Sequence, residues 1–432
     1  MKNIIVVYSA PPILGGGKFP NSTTYFLFFI AVCLVIPIFD VPLLGLSLTA
    51  PLFFLIALNA VFKPPCPWSL IGRRYIILGV FIWVGIFLSA AVNGLSSGGA
   101  NIDSYGIATV LRYAYWIFIF VLTAYVVSAG KLTLSVSRVL GWSILALALL
   151  RWGEVLIYGN IGAWTGTYLV SQNGYGFLFS AFSPFLLGMF FSERKWESRF
   201  AVFGSILLWG AAAINGSRSS WIAILVGAIL FLALLGWSQP RKAVGGLLFF
   251  LIMAGFAFVA FSASSQISQA VESRLNTFQN LNEEKSYMIR QLMDQKALRL
   301  FEQSPWFGVG AGRFRVSSVP LDIPQALRYA NQSHFDVKSA HNSYLSFLAE
   351  NGLFGVVPFG ILLLMLTVLG FKSAISLSRQ KQYWGMAVYA SFIGMSIHMW
   401  SISSLTNTAN WFVYGLVAAI IVLAQTEFKE KR

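Results

Sequence analysis

Apolar runs of bilayer-spanning length, separated by short polar connections, recur along this chain of 432 residues. A helix needs about 20 apolar residues, in a range of roughly 17 to 25, to cross the hydrocarbon core of a membrane. About twelve stretches qualify: 23–39, 42–62, 75–92, 106–128, 138–157, 175–191, 199–215, 219–237, 244–263, 353–371, 383–403 and 410–426. They are continuous rather than alternating, which excludes a transmembrane β-barrel. The pattern predicts an all-α polytopic membrane protein with about 12 transmembrane helices. One interruption is too long for a connection. From Ser264 to Gly352 the chain is mostly polar, and only this stretch is large enough to build a soluble site. The chain thus divides into 1–263 with spans one to nine, a large and mostly helical loop over 264–352, and 353–432 with spans ten to twelve and a tail.

Within the loop, Glu283–Gln303 has apolar residues at helical spacing: Met288, Ile289, Leu292, Met293, Leu298, Leu300 and Phe301. The spacing predicts an amphipathic helix lying on or over the outer membrane face. Glu283 and Glu284 read as its cap residues. Pro305 ends it, Gly308, Gly310 and Gly312 predict a mobile turn, and 320–330 reads as a further short helix after Pro324. No strand precedes those glycines, so they are not a dinucleotide fingerprint.

Composition sharpens the picture. Charged residues make up 10% of the chain and hydrophobic ones 57%, against about 25% charged in a soluble domain. The formal net charge of +15 does not indicate nucleic acid, because most Lys and Arg sit in short loops beside apolar runs. With the N-terminus inside, Arg73, Arg74, Lys131, Arg138, Arg194, Arg241, Lys242, Arg379 and Lys381 all fall on the cytoplasmic side, while the short outer loops are nearly bare. Both termini are then cytoplasmic, and the long loop lies outside. Met1–Asn21 lacks the pattern of a cleavable signal peptide. Cys33 and Cys66 form neither a disulfide framework nor a metal set.

Some cations break the topology rule. Arg112 and Arg151 lie near the outer ends of the fourth and fifth spans. Arg218 sits in the tight outer turn Asn215-Gly216-Ser217-Arg218, and the loop adds Arg290 and Lys338 among others. All lie at or above one face, which predicts a cationic cavity there. Of the three histidines, His398 is expected to pack within a span, His334 to be solvated, and His341 to stand at the approach to the tenth span. No His pair at i and i+4 and no Asp-x-Asp pair offers a metal site, so no metal or cofactor is expected. A histidine among arginines suits a transfer in which a phosphate leaves and a hydroxyl attacks. Imidazole accepts a proton near neutral pH, and guanidinium forks hold phosphate while keeping their charge.

The run His341-Asn342-x-Tyr344-Leu345-x-x-Leu348-x-Glu350-x-Gly352-Leu353-x-Gly355 resembles the signature of the O-antigen ligase and polymerase superfamily. Gly216-Ser217-Arg218, and Arg290 followed by Ser304-Pro305-Trp306-Phe307-Gly308-Val309-Gly310, agree with it. The resemblance implies a GT-C-like glycosyltransferase architecture, a periplasmic loop, the bacterial inner membrane and metal-independent inverting transfer. It implies an undecaprenyl-diphosphate-linked glycan as donor and, for a ligase, lipid A–core as acceptor. Arg218 and Arg290 match the family's arginines and would hold the diphosphate. His341 would activate the acceptor hydroxyl, with Asn342, Tyr344 and Glu350 as motif support. Topology alone adds Arg151 and Arg112 to the diphosphate site. A glycan polymerase or a protein O-oligosaccharyltransferase would share these motifs. A lipid or glycan transporter is the reading from another class, and it fits less well because the span centres carry little charge.

Overall fold

The computed structural model describes residues 21–36, 42–43, 46–47, 49–62, 73–96, 104–158, 171–191, 194–262, 272 and 284–430. Cys66, Glu283 and nearly all of 263–283 lie outside the described residues. Helices dominate: α1 (Asn21–Val35), α2 (Thr49–Phe62), α3 (Arg73–Ser96), α4 (Ser104–Ala129), α5 (Thr133–Tyr158), α6 (Gln172–Phe182), α7 (Pro184–Phe190), α8 (Lys195–Asn215), α9 (Arg218–Ser238) and α10 (Pro240–Ser262). After the loop come α11 (Lys285–Gln303), α12 (Gln332–Asp336), α13 (Ser343–Arg379), α14 (Tyr383–His398) and α15 (Thr408–Glu430). A two-residue antiparallel pair, Pro42–Leu43 with Leu46–Ser47, is the one strand pairing among the described residues.

Every apolar run thus has a helix within it. Seven helices among the described residues are long and apolar enough to cross a membrane: α3, α4, α5, α8, α9, α13 and α15. The sixth expected span is instead two short helices, α6 and α7, which meet at Ser183, where Pro184 removes a backbone donor at the start of α7. Large apolar side chains such as Phe62, Phe81, Leu111, Ile229 and Leu364 stay exposed on the helices. This is the surface expected to face lipid. The interior is aromatic. Trp411 on α15, Tyr113 on α4 and Phe347 and Phe359 on α13 stack around one another, with ring centroids 5.1 to 6.2 Å apart. The pairs α4 with α15, α3 with α13, and α9 with α14 form the main contacts.

Helix α13 has 37 residues, more than a bilayer needs at 1.5 Å rise per residue. It is broken at Gly352 (φ 57°, ψ −161°), which frees backbone groups that need partners. The loop before it supplies them. Leu353 N–H donates to Pro305 O (2.9 Å) and Phe354 N–H to Trp306 O (3.1 Å); Val309 N–H donates to Ala349 O (2.9 Å) and Gly310 N–H to Glu350 O (3.1 Å). The chains approach so closely that a Cβ on Gly352 would lie 2.5 Å from the Trp306 carbonyl carbon, and one on Gly308 2.3 Å from that of Glu350. Both glycines also have positive φ, which only glycine adopts without strain. The glycine turn expected to be mobile is therefore packed backbone to backbone. The two motif stretches, 304–310 and 349–354, are halves of one clasp. Ser89 Oγ from α3 donates to Glu350 O (2.7 Å) and Asn93 Nδ2 to Gly308 O (3.1 Å), which ties the clasp to the membrane helices.

The loop has its own small core. Met288, Leu292, Met293, Ala297 and Leu300 on α11 pack against Phe314, Val319, Leu327, Phe335, Ala340 and Ala349. The apolar stripe of α11 is thus buried within the protein rather than laid on the membrane face. The expected helix over 320–330 is only a 3-10 turn, Gln325–Leu327, followed by α12. Lys296 interrupts the apolar face, and its ammonium donates to Asp336 O (2.6 Å) beneath the Phe314 ring.

Candidate functional site

Three connections bring the site together. Gly216, in the left-handed conformation (φ 68°), turns the chain between α8 and α9, so Arg218 becomes the first residue of α9. Arg290 lies on the second turn of α11. His341 stands just before α13, whose cap is Asn342: the Asn342 side-chain oxygen accepts from the N–H groups of Tyr344 and Leu345 at 3.2 Å. His341 itself has φ 53°, unusual for a residue with a Cβ and costing about 1 kcal/mol or more. The surroundings hold it there. Its N–H donates to Ser403 Oγ (3.1 Å), Ser343 Oγ donates to Ile402 O (2.6 Å), and Ser343 N–H donates to Met399 O (2.9 Å). Tyr344 adds a bond from its hydroxyl to Ser396 O (2.9 Å) and a ring contact with Trp400.

Arg218, Arg290 and His341 all line one open cleft, with Gln172, Asn173, Ser217, Glu284 and Lys338. Gln172 and Asn215 exchange side-chain to backbone hydrogen bonds of 2.6 and 2.9 Å, which fixes the start of α6 against the Gly216 turn. Glu284 opens α11 without making a cap hydrogen bond. Its carboxylate instead pairs with Arg218, and Ser286 Oγ donates to it at 3.0 Å. Arg218 and Glu284 side chains are 15% and 16% exposed, so the pair is largely withdrawn from water.

The charges of the cleft act on one another. Burial lowers the His341 pKa below its ordinary value, and the nearby Arg290 and Lys338 lower it further. Both effects favour the neutral imidazole, the form able to accept a proton. Burial also lowers Arg290, as does Arg218 beside it, while Glu284 and Asp294 act in the opposite direction; a guanidinium stays charged regardless. Asp294, one turn along α11 from Arg290, is pushed up by burial to about 6, against a hydrogen bond from Asn342 and the charge of Arg290. Two half-buried guanidinium groups and an ammonium, with Glu284 their acidic partner in the lining, make a site that favours a multiply charged anion. A neutral imidazole on the same wall can serve as a base.

Arg151 and Arg112 do not join them. Arg151 is buried in α5, paired with Glu154 at 3.1 Å and set over the Tyr175 ring. Burial of an arginine needs such a partner, which accounts for its place in an apolar run. Arg112 lines a different cleft, with Arg315 and Glu350. The Glu350 carboxylate accepts the Phe314 N–H at 3.1 Å. His334 is exposed on α12. His398 is buried, as packing predicts, yet its Nε2 lies 3.3 Å from Ser219 Oγ, directly beside Arg218. Sequence reasoning did not find the part played by Glu284 or Asp294. Asp294 has a readable signal, the i, i+4 spacing from Arg290; Glu284 has none, because its partner is 66 residues away. Among the described residues, no three His, Cys, Asp or Glu side chains converge closely enough to hold a metal ion.

Residues 203–360 match the family model for O-antigen ligase. The matched stretch contains Arg218, Arg290 and His341 and leaves out Arg112 and Arg151. No curated protein matches the chain significantly.

Proposed function

We propose, from the match of residues 203–360 to the family model for O-antigen ligase, that the chain is a ligase moving a glycan from undecaprenyl diphosphate to a sugar hydroxyl of lipid A–core. The family match and the seven membrane-length helices support the coarser reading, a multi-pass membrane protein of the glycan-transferring kind. The observation that carries the finer reading is the convergence of Arg218, Arg290 and His341 on one cleft from three separate parts of the chain.

The donor diphosphate sits against Arg218 and Arg290, displacing Glu284 from Arg218. The His341 imidazole removes the proton from the acceptor hydroxyl. The oxygen attacks the anomeric carbon from the face opposite the diphosphate. As the new C–O bond forms, the bond to the diphosphate oxygen breaks, and the configuration inverts. The charge that develops on the leaving undecaprenyl diphosphate is met by guanidinium groups already in place. In this reading the protein lies in the bacterial inner membrane with about twelve crossings, both termini in the cytoplasm and the cleft on the periplasmic face. A polymerase would use the same residues with a lipid-linked glycan as acceptor.

The test is transfer in cells lacking the endogenous ligase. Arg218→Ala and Arg290→Ala are each expected to abolish glycan-capped lipopolysaccharide while the protein accumulates in the membrane, and Lys at either position should restore little if the phosphate contact is bidentate. Near-normal transfer by either Ala variant would remove that residue from the site. Longer lipid-linked chains in place of capped lipid A–core would make the enzyme a polymerase.

A further inference from the structure

A second cleft lies on the other side of the segment that carries His341. Lys338 and His341 line the first cleft, whereas Ser339, Ala340 and Ser343 line the second. Its remaining walls come from α4, from the turn at Gly312–Arg315, from the early turns of α13 and from the 403–406 connection between α14 and α15. It encloses about 930 Å³ with its open mouth, more than the 770 Å³ of the first.

The chemistry of its lining differs from that of the first cleft. Arg112 and Arg315 both reach it from exposed positions. Neither has an ion-pair partner among the described residues. The Arg315 Nε donates to Val337 O at 2.8 Å, which fixes its guanidinium plane at the rim. Hydroxyls of Ser339, Ser346 and Thr406 stand around the wall, and the Glu350 carboxylate is anchored by Phe314 N–H. Hydroxyls and a fixed carboxylate match the alternating donors and acceptors of a sugar ring. Two guanidinium groups without carboxylate partners call for an anion beside it.

We propose that this second cleft is the acceptor subsite, and that it takes a saccharide bearing a phosphate or carboxylate held by Arg112 and Arg315. The inference rests on the glycan-transfer reading above and assigns Arg112 to the acceptor rather than to the donor diphosphate. The donor and acceptor clefts are then separated by the 338–343 segment, from which Lys338 and His341 line the donor cleft; of the two, only the imidazole can accept a proton at neutral pH. An acceptor hydroxyl brought to the edge of the second cleft meets the imidazole at the point where the anomeric carbon is presented from the first.

The test uses full-length protein in detergent and two probes measured separately: undecaprenyl diphosphate, and phosphorylated core oligosaccharide released from lipopolysaccharide. The variants are Arg112→Gln, Arg315→Gln and Arg218→Gln. Loss of a charge-assisted contact should weaken binding about tenfold or more. Arg112→Gln and Arg315→Gln should lose core oligosaccharide affinity by that factor and keep undecaprenyl diphosphate affinity, which also shows that they are folded; Arg218→Gln should do the reverse. Enzymatic removal of the phosphates from the oligosaccharide should erase the difference between wild type and Arg315→Gln. Unchanged oligosaccharide binding in both Arg112→Gln and Arg315→Gln overturns the proposal, as does loss of both probes together, which would mean one shared site. Wild type that binds both probes separately but transfers nothing would refute the enzymatic reading and leave the second site standing.

Discussion

Glu284→Gln is expected to tighten the binding of undecaprenyl diphosphate. In the structure Glu284 occupies Arg218 as an anion would, and under the proposed mechanism a diphosphate has to displace it. Two unit charges about 4 Å apart interact by about 4 kcal/mol at an effective dielectric constant near 20, but desolvation offsets most of this. Exposed pairs are worth roughly 0.2–1 kcal/mol and breaking a buried pair costs about 3–5 kcal/mol. With both side chains about 15% exposed, removing the competitor should yield about 1–2 kcal/mol, or roughly five- to thirtyfold tighter binding. Arg218→Gln acts in the opposite direction twice, since it removes the diphosphate contact and leaves Glu284 facing the phosphates. A loss of about 2–4 kcal/mol follows, on the order of thirty- to a thousandfold. The double variant should bind about five- to thirtyfold better than Arg218→Gln alone, because the repulsion is gone. Equilibrium binding of radiolabelled undecaprenyl diphosphate to purified protein measures all four corners of the cycle. If Glu284→Gln binds more weakly than wild type, or the double variant no better than Arg218→Gln, then Glu284 orients the arginine rather than competing with its ligand.

Other expectations follow from the same geometry. As the proposed base, His341 would work unprotonated, and burial together with Arg290 and Lys338 lowers its pKa from the ordinary value; the acid limb of the kcat/KM profile should therefore lie on the acid side of an ordinary histidine's, and a limb centred above pH 7 would contradict this. Asp294 has a carboxyl raised from 3.8 to about 6 by burial. Its ionisation thus costs stability progressively as pH rises from about 4 to 6, and the full cost is present above that. Asp294→Asn should accordingly raise the Tm in detergent more at pH 8 than at pH 4, and an equal effect at both would rule out the carboxyl as the cause. Gly352→Ala forces a Cβ to 2.5 Å from the Trp306 carbonyl carbon at φ 57°; a destabilisation on the order of 2–3 kcal/mol is expected, and an unchanged Tm would mean that the clasp yields freely. Arg151→Ala should destabilise by about 3 kcal/mol because it strands Glu154, and less in combination with Glu154→Ala, while the folded fraction keeps its transfer rate; loss of transfer in folded Arg151→Ala protein would restore it to the site.

Much of the helical layout is legible because lipid imposes a one-dimensional rule: a helix that meets it must be apolar over a fixed length. The run 106–128 and the helix Ser104–Ala129 agree to within two residues. Which helices touch is not legible, since an apolar side chain packs against lipid or another helix alike, and nothing along the chain pairs α4 with α15. The broken span at Ser183 is marked only by Pro184. The apolar stripe on α11 is readable, but its destination is not, because a protein core and a membrane surface ask for the same stripe. Among the arginines, Arg218 stands out by its turn and Arg290 by its place on α11. Arg151 stands out equally, and what separates it is Glu154 three residues on, on the same helix face. Arg112 carries no local mark of this kind. Apart from its neighbours on α4, its cleft is built by residues two hundred or more positions away. The glycines of 304–312 read as freedom in sequence, yet Gly308 is required by close backbone contact, a distinction that only the facing half of the clasp on α13 reveals.

The most direct measurement is transfer by purified protein supplied with a lipid-linked glycan and lipid A–core, in EDTA, for wild type and His341→Ala. A capped lipid A–core product is expected from wild type and none from the variant, with undecaprenyl diphosphate binding retained in both. Transfer by His341→Ala at the wild-type rate would contradict it.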